Sequence, residues 1–297
     1  MNGLRYPDFF VVGAPKCGTT SAADYLRQQS SIFIPRRKEP NYYCGDLPVP
    51  RRIESRDTYL KQFAAAPAGS ILGEASSLYL YSKIAIRDAF KDNPRAKFIA
   101  LVRNPMDMVY SWHRQLVLGF VETETNFETA WSLQHERRAA AGSFNPLLLY
   151  GEVCKLSPQI ARFYETIPAQ NRLVMVFDDI IENPLRECRA LMNFLGIAFD
   201  EAIVWPHSNP RKTFAYWGLA KFLVKPPFPL NYLRTGIRRT LDHFPNAPRH
   251  FTLRLLSRTE PSTPITDGTR QMLAEYFEDD VWKLGSILNR DFSAWLR

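Results

Sequence analysis

A turn near the start of the chain carries residue types that together can hold an anionic group. Two glycines bracket it, one lysine lies inside it, and three hydroxyl residues follow; the set is Gly13, Lys16, Gly18, Thr19, Thr20 and Ser21. Glycine lets a backbone approach a ligand closely, lysine supplies a positive charge, and hydroxyls donate hydrogen bonds. Such a set suits a phosphate or a sulfate group.

The elements on either side of this turn are predicted to be a strand and a helix. Residues 9–12, with the sequence Phe-Phe-Val-Val, form an apolar run typical of a buried parallel strand. Residues 22–29 contain good helix formers. A strand–turn–helix unit directs backbone N–H groups and a helix N-terminus at one point, which strengthens the prediction of an anion site.

The turn departs from the nucleotide triphosphate loop, G-x-x-x-x-G-K-[ST], at one decisive position. Gly13 and Gly18 have the required spacing, but Thr19 stands where that motif needs lysine, and Lys16 lies inside the turn instead. A kinase with a degenerate loop is therefore one alternative. An ordinary strand-to-helix turn with a solvated lysine is another, and the turn alone does not separate these interpretations.

A second candidate phosphate site follows another apolar run, at residues 96–102. This run is predicted to be a buried strand; Arg103 stands at its end, Pro105 begins a helix, and Ser111 lies two turns along that helix. An arginine fork together with a hydroxyl can bind a phosphate dianion. Taken alone, Arg103 could equally close a salt bridge at the strand end.

Two residues are candidate general bases. Glu74 ends a short predicted strand, and the carboxyl ends of strands in an open α/β sheet are where ligands bind. His113 follows Ser111 by two residues, so on a helix it points to a different side, and its ordinary pKa suits a base near neutral pH. The rigid strand-end position favours Glu74, with His113 as the alternative base.

These motifs resemble those of sulfotransferases that use 3′-phosphoadenosine 5′-phosphosulfate (PAPS). Residues 15–21, PKCGTTS, are similar to the family's 5′-phosphosulfate loop, and Arg103-Asn104-Pro105 with Ser111 is similar to its 3′-phosphate motif. The order and separation of the two motifs also match, most closely in the bacterial and glycan-type branch, which includes the heparan sulfate enzymes. The resemblance implies PAPS as cofactor, adenosine 3′,5′-bisphosphate (PAP) as product, and no metal requirement.

The resemblance also implies a role for each candidate residue. The cofactor-binding residues would be Lys16, Cys17, Gly18, Thr19, Thr20, Ser21, Arg103 and Ser111, joined by Arg211 and Lys212 in a basic loop that closes over the cofactor. Lys16 would also be catalytic, and Glu74 would be the base that glycan-type members use, although Ser77 stands where the family has proline. Lys38 and Tyr42 would lie beside the acceptor cleft.

The predicted fold class is α/β, with a single domain over residues 1–297. Its central sheet is expected to be mostly parallel, with about five strands flanked by helices, as in the nucleotide-kinase-like sulfotransferase fold that the motifs resemble. The last core strand is predicted at Arg172–Phe177, followed by Asp178 and Asp179. An acidic pair there looks like the magnesium aspartate of nucleotide triphosphatases, whereas the resemblance implies a structural role.

The positive charge of the chain is concentrated in one segment. The chain has 297 residues and a net charge of +8, and Arg211–Arg258 alone holds ten Lys or Arg and one acid. The remainder is nearly neutral, so a nucleic-acid partner is not predicted. The segment could contact a membrane surface peripherally or bind an anionic acceptor. A non-enzymatic protein that binds anions or polyanions is the alternative to an enzyme.

Location and acceptor are defined less closely. The four cysteines show neither zinc spacing nor a disulfide framework, which suits a reducing compartment. The first residues lack the layout of a signal peptide, and no apolar run reaches the length of a membrane span. A cytoplasmic protein is therefore expected. The acceptor is expected to be a hydroxyl or amine of a glycan, a lipid or a small natural product.

Overall fold

Parallel strands form the centre of the protein. The structure is a computed structural model that describes residues 5–139, 145–206, 212–214, 257–259 and 266–297. The strands of the central sheet are Phe9–Gly13 (β1), Ile32–Phe33 (β2), Ile71–Ala75 (β3), Lys97–Val102 (β4) and Arg172–Val176 (β5). They lie in the order β2-β3-β1-β4-β5, and every pairing is parallel. The prediction of a mostly parallel sheet of about five strands is confirmed.

The two central strands are apolar because helices and neighbouring strands cover them completely. All five residues of β1 are buried, and so is β4 from Phe98 to its end. Phe10 of β1 lies in register with Glu74 of β3 and with Phe98 of β4. The carboxyl ends of these strands therefore meet along one edge of the sheet, and this edge receives the turn that follows β1.

Helices connect the strands and flank the sheet. They are Thr19–Leu26 (α1), Arg56–Lys61 (α2), Ala85–Asp92 (α3), Pro105–Leu118 (α4), Phe127–Ser132 (α5), Gln134–Ala139 (α6), Tyr150–Cys154 (α7), Ser157–Thr166 (α8), Phe177–Glu182 (α9), Pro184–Leu195 (α10) and Asp267–Leu288 (α11). Single 3₁₀ turns occupy Pro146–Leu148, Ala169–Asn171 and Ser293–Leu296. Among the helices so described, none is both long enough and apolar enough to cross a membrane.

Two short strands form a second sheet. Lys212–Phe214 (β6) pairs antiparallel with Ser257–Thr259 (β7). Most of the basic segment Arg211–Arg258 lies outside the described residues, so its predicted helical character and its contacts stay predictions. The boundary of the single domain, at residues 1–297, likewise stays a prediction.

The end of β5 differs from its predicted position by one residue. β5 ends at Val176, and Phe177 is the first residue of α9 rather than the last residue of the strand. The hydrophobicity of Phe177 suggested a strand residue, but its ring is used at the sheet edge, where it lies under Arg103. Asp178 and Asp179 then occupy the first turn of α9, where negative charge is favourable.

The C-terminal segment closes over this end of the sheet through the acidic pair. The indole N–H of Trp295 donates to Asp178 at 2.6 Å, and Arg290 Nη2 donates to Asp179 Oδ1 at 2.9 Å. The side chain of Asn104 donates to the Trp295 carbonyl oxygen at 3.2 Å. Both carboxylates thus bind the C-terminal segment, in agreement with the structural role that the resemblance implied.

Candidate active site

At the end of the turn between β1 and α1, the backbone N–H groups that begin the helix have no side-chain cap. Lys16 has a backbone φ of 66° and Gly18 one of 92°, both in the left-handed region. Gly18 is the N-cap of α1, and no side chain caps that end. The amides of the first helical turn have no partner within the helix, so they remain free to bind an anion.

Gly18 cannot be replaced without moving its neighbours. Its left-handed backbone favours glycine, and a Cβ atom there would lie 2.9 Å from Cδ2 of Phe177. The glycine therefore lets the turn lie directly on the ring that begins α9. This close approach fixes the distance between the turn and the end of β5.

Lys16 lies within a group of positive charges. Its Nζ donates to Gln115 Oε1 at 3.3 Å, and Arg103 Nη1 donates to the Lys16 carbonyl oxygen at 3.5 Å. Burial lowers the pKa of Lys16, and the neighbouring guanidinium groups of Arg103 and Arg114 lower it further. Mutual repulsion of this kind is relieved when an anion binds, so the arrangement favours a negatively charged ligand.

Arg103 is held by three contacts at the end of β4. Its guanidinium stacks on the ring of Phe177, 4.7 Å from the centroid, and its Nη2 donates to Asp107 Oδ2 at 3.2 Å. With the Lys16 carbonyl as third partner, the side chain is only 19% exposed. The structure therefore brings together the two cations, Lys16 and Arg103, that the sequence selected from separate motifs.

Helix α4 carries the predicted Ser111 and two further residues that the sequence did not single out. Gln115 binds Lys16, and Arg114 lies close enough to lower its pKa. Nη2 of Arg114 is buried and has no hydrogen-bond partner among the described residues. Arg114 and Gln115 follow Ser111 at helical spacings of three and four, so helix periodicity was the signal that could have found them.

The remaining turn residues are mostly buried. Thr19 and Ser21 are buried, and Thr20 is half-buried. Cys17 is fully buried, with its Sγ 3.7 Å from the sulfur of Met108, and burial raises its pKa to about 12. A thiol of this kind fills space beneath the turn, and the backbone N–H of Cys17 donates to the Ala14 carbonyl oxygen at 3.3 Å.

Glu74 lies in β3, one residue before its end, and is 2% exposed. The hydroxyls of Tyr79 and Tyr59 both donate to its Oε2, at 2.8 and 3.0 Å. Burial raises the pKa of Glu74 to about 7, against hydrogen bonds that favour the carboxylate. A carboxylate with a pKa near neutrality can accept a proton from a substrate at physiological pH.

His113 is packed into a different part of the molecule. Its Nε2 lies 2.9 Å from the Glu124 carbonyl oxygen, and its ring makes edge contacts with Phe127 and Tyr150. It is 2% exposed, and burial lowers its pKa. These contacts are those of a core histidine, and they favour Glu74 as the candidate base.

A second carboxylate at the end of β3 was missed by sequence reasoning. Glu39 accepts hydrogen bonds from the Ser77 N–H at 3.2 Å and from the Ser77 hydroxyl at 2.9 Å. Burial raises the pKa of Glu39, whereas Lys38 and Lys16 lower it. The proline that the family has at position 77 could supply neither donor, so the departure noted at Ser77 is what holds Glu39. The position of Glu39 directly after Lys38, a candidate acceptor residue, was the sequence signal that could have identified it.

The two candidate acceptor residues have structural partners. Lys38 Nζ lies 3.1 Å from Asp24 Oδ1, which also binds Arg27. The ring of Tyr42 stacks on Tyr59 with centroids 4.3 Å apart. Lys38 still lines a narrow cleft that Glu74 also lines, so it keeps its candidate role. Tyr42 is not among the residues that line this cleft.

Two predicted cofactor residues lie where the structure gives no side-chain information. Arg211 is outside the described residues, and Lys212 is described only through its backbone in β6. Their predicted part in a loop over the cofactor stays a prediction.

Residues 6–214 match the sulfotransferase domain family. The chain belongs to this family. Among its relatives is the human bifunctional heparan sulfate N-deacetylase/N-sulfotransferase 2, which is 28% identical over 209 residues and 65% of this chain. The chain spans 22% of the length of that relative. A Dictyostelium discoideum membrane-associated sulfotransferase, kil1, is 28% identical over 108 residues, which is 35% of this chain and 22% of the relative.

Solved sulfotransferase structures share the fold. A sulfotransferase from Alicyclobacillus acidocaldarius superposes with a TM-score of 0.70 at 24% identity, covering 98% of this chain and 99% of the other. A mouse sulfotransferase complexed with PAP has a TM-score of 0.51 at 13% identity, covering 93% and 84%. At these identities the likeness establishes the α/β sulfotransferase architecture and leaves the site to be argued from its own residues.

In this sulfotransferase domain, the loop lysine expected of a kinase is replaced, and the aspartate after β5 binds the C-terminal segment instead. Thr19 stands where a kinase loop has lysine, and Asp178 is bound by Trp295. Within the residues that the structure describes, no group of three or more His, Cys, Asp or Glu could hold a metal ion. The match to the sulfotransferase family, and not to a kinase family, is the finding that bears on this alternative.

Proposed function

We propose that this protein transfers the sulfuryl group of PAPS to a hydroxyl or an amine of an acceptor. The observation that carries the proposal is the meeting of Lys16, Arg103 and the uncapped amides of α1 at the carboxyl edge of the sheet. The membership in the sulfotransferase family and the PAP complex of the mouse structure of similar fold support it.

The donor set fits the two anionic ends of PAPS. The turn amides from Lys16 to Thr20, with the hydroxyls of Thr19, Thr20 and Ser21, would bind the 5′-phosphosulfate, and Arg103 with Ser111 would bind the 3′-phosphate. When bound, PAPS supplies an activated sulfuryl group on a phosphate leaving group. The site already carries three close cations, and one guanidinium nitrogen of Arg114 has no partner among the described residues. This positive charge favours the binding of an anion.

Lys16 would act on the leaving oxygen. Lys16 belongs to the turn, and its ammonium lies 3.3 Å from Gln115 Oε1 on α4, so it can stabilise the negative charge that develops on the 5′-phosphate as the bond from that oxygen to sulfur breaks. Glu74 would accept the proton that the acceptor loses, since its pKa lies near neutrality and it lines the cleft beside Lys38. Positioning and electrostatics supply most of the rate in transfers of this kind.

The acceptor that fits best is a glycan. The relatives include enzymes whose names give heparan sulfate as substrate, and Arg27, Arg37 and Lys38 line the cleft that contains Glu74. Lipid and small natural-product acceptors are the alternatives, and nucleic acid is not proposed. A peripheral contact with a membrane or an anionic acceptor through Arg211–Arg258 rests on the charge of that segment alone.

A cytoplasmic location and the bacterial-type branch are further parts of the proposal. In the described part of the chain Cys17, Cys44, Cys154 and Cys188 are free thiols, and all are buried. Free thiols are stable in a reducing compartment. Recovery of the native protein in the soluble fraction of its own cells would support this location.

Ligand binding and transfer test the proposed function together. PAP should raise the melting temperature, whereas ATP with magnesium should not do so comparably, because Thr19 replaces the lysine of the kinase loop. Incubation with PAPS labelled in its sulfuryl group should then label one member of an acceptor panel of glycans, lipids and phenols. Stabilisation by ATP–magnesium with EDTA-sensitive activity would indicate a kinase, and anion binding without any transfer would indicate a binding protein.

A further inference from the structure

Two buried tyrosine hydroxyls bind the same oxygen of Glu74. Tyr79, five residues after Glu74, and Tyr59, on helix α2, both donate to Oε2. Tyr59 and Tyr79 are fully buried, as is the carboxylate. Two donors on one carboxylate oxygen fix the side-chain rotamer and draw negative charge toward that oxygen.

The other oxygen of Glu74 is left without a partner. No donor satisfies Oε1 with hydrogen-bonding geometry in the described part of the chain, although the neighbouring Ser76 hydroxyl lowers the pKa of Glu74 and the charge of Glu39 raises it. A buried carboxylate oxygen without a donor is costly, and such groups are often retained for function. In this arrangement Oε2 is the anchored oxygen and Oε1 is the oxygen that can take up a proton.

The same two tyrosines contact the loop that follows Lys38. Tyr42 stacks on the Tyr59 ring at an interplanar angle of 9°, and the backbone N–H of Tyr43 donates to the Tyr79 hydroxyl at 3.5 Å. The donation from Tyr43 leaves the Tyr79 hydroxyl proton free to point at Glu74. The side chain of Tyr43 is used elsewhere, because its hydroxyl donates to Asp92 at 3.0 Å.

We propose that Tyr59 and Tyr79 are positioning residues that hold Glu74 by Oε2 in the lining of the cleft and leave Oε1 as the oxygen that accepts the acceptor's proton. This inference rests on the proposed function. In the step concerned, the O–H or N–H bond of the acceptor breaks and its proton goes to Oε1. The freed electron pair forms the bond to sulfur while the bond from sulfur to the 5′-phosphate oxygen breaks, with its electrons remaining on the phosphate.

The pH dependence of transfer tests this assignment, because only the ionised form of Glu74 can accept a proton. Loss of a hydrogen bond to a carboxylate destabilises the ionised form, so Tyr79→Phe and Tyr59→Phe should each raise the pKa of Glu74. We expect the acidic limb of the kcat/KM profile to move upward by about one pH unit in each variant, which is about tenfold less activity on that limb. The double variant should move it further.

Tyr43→Phe is the matched control. It removes one hydroxyl from the same aromatic cluster, but that hydroxyl binds Asp92 and not Glu74. Its acidic limb should stay at the wild-type pH. Melting temperature and PAP affinity, measured for all variants, show whether each one folds, and Tyr59→Phe and Tyr79→Phe test the idea independently if one of them fails to fold.

The outcomes separate this inference from the proposed function. An unchanged acidic limb in both folded variants, even with a lower kcat, would overturn the positioning role, and so would an equal shift in Tyr43→Phe. A wild-type protein that neither binds PAP nor transfers sulfate would overturn the proposed function itself. Upward shifts confined to the Tyr59 and Tyr79 variants, with PAP affinity retained, would support both.

Discussion

The guanidinium of Arg103 lies 4.7 Å from the centroid of the Phe177 ring, and that ring also fills the space beside Gly18. One aromatic side chain therefore contacts both candidate phosphate-binding motifs, which are separated by more than eighty residues in sequence. Because the Phe177 ring packs against both the turn and Arg103, its position sets the spacing between them. In the proposed complex, PAPS would contact both motifs across this spacing.

Phe177→Ala should weaken PAP binding about two- to thirtyfold, since a cation–π contact contributes roughly 0.5–2 kcal/mol. Isothermal titration with PAP measures the loss. Phe199→Ala is a suitable control because Phe199 lies under Arg189, at 4.9 Å, in a pair where neither residue belongs to the site. Equal losses in both variants would mean that Phe177 acts only through general stability.

Arg103→Ala and Ser111→Ala should weaken binding of PAP far more than binding of an analogue without the 3′-phosphate. A hydrogen bond between a charged pair contributes roughly 1.5–3 kcal/mol, so about tenfold or more should be lost at Arg103. Arg103→Lys keeps the charge without the fork and should recover part of the affinity. Equal losses with the two ligands would show that these residues do not bind that phosphate.

Asp107→Asn should strengthen PAP binding by up to about fivefold. Asp107 accepts from Arg103 at 3.2 Å across one helical turn, so its charge competes with a phosphate for the same guanidinium. Exposed ion pairs of this type contribute roughly 0.2–1 kcal/mol. Asp88→Asn provides the control, since Asp88 also lies in a first helical turn and pairs with a neighbouring arginine away from the site. Weaker PAP binding in Asp107→Asn would indicate that Asp107 orients Arg103 instead of competing for it.

Lys16→Ala should reduce turnover more than cofactor affinity. The charge of Lys16 is most valuable when the leaving oxygen becomes negative, which happens only as sulfur leaves it. Removal of one preorganised donor of this kind costs about a hundredfold or more in kcat. Lys16→Arg should restore part of the rate. Should turnover survive while only PAP affinity falls, Lys16 is a binding residue and its role on the leaving group is wrong.

The candidate residues Lys16 and Arg103 both follow apolar strands, which accounts for their position at one edge of the sheet. Residues 9–12 before Gly13 and residues 98–102 before Arg103 are apolar at every position, and parallel strands end at a common edge, which brings Lys16 and Arg103 together. The structure places them in direct contact. The acidic pair after β5 was also interpreted correctly as structural through the resemblance.

Residues that reach the site through tertiary packing were not predictable in the same way. Tyr59 comes from a separate helix, fifteen residues before Glu74, and no spacing rule connects the two. Glu39 depends on Ser77, which pattern comparison treated as a small departure. Arg114 and Gln115 are the exception, since their helical spacing from Ser111 was available. Phe177 was predicted to end the strand because it is hydrophobic. Hydrophobicity alone does not show that its ring contacts the Arg103 guanidinium.

The identity of the base is the last prediction. Glu74→Gln should abolish most turnover and leave PAP binding intact, because the amide keeps the size of the side chain but accepts no proton. His113→Gln should keep most of the activity, since His113 is buried between Phe127 and Tyr150 and its Nε2 is used by the Glu124 carbonyl. With burial raising the pKa of Glu74 to about 7, kcat/KM should rise with pH up to about 7 in the wild type.

Steady-state rates of the two variants across pH 5 to 9, roughly the range that brackets this pKa, decide between the candidates. Loss of activity in His113→Gln with retention in Glu74→Gln would transfer the role to His113. Near-normal turnover in both would mean that the acceptor itself needs no protein base, as expected of a neutral amine or an already ionised phenol. A Glu74→Gln variant that keeps PAP affinity, loses turnover and loses the acidic limb would identify Glu74 as the group that takes the acceptor's proton.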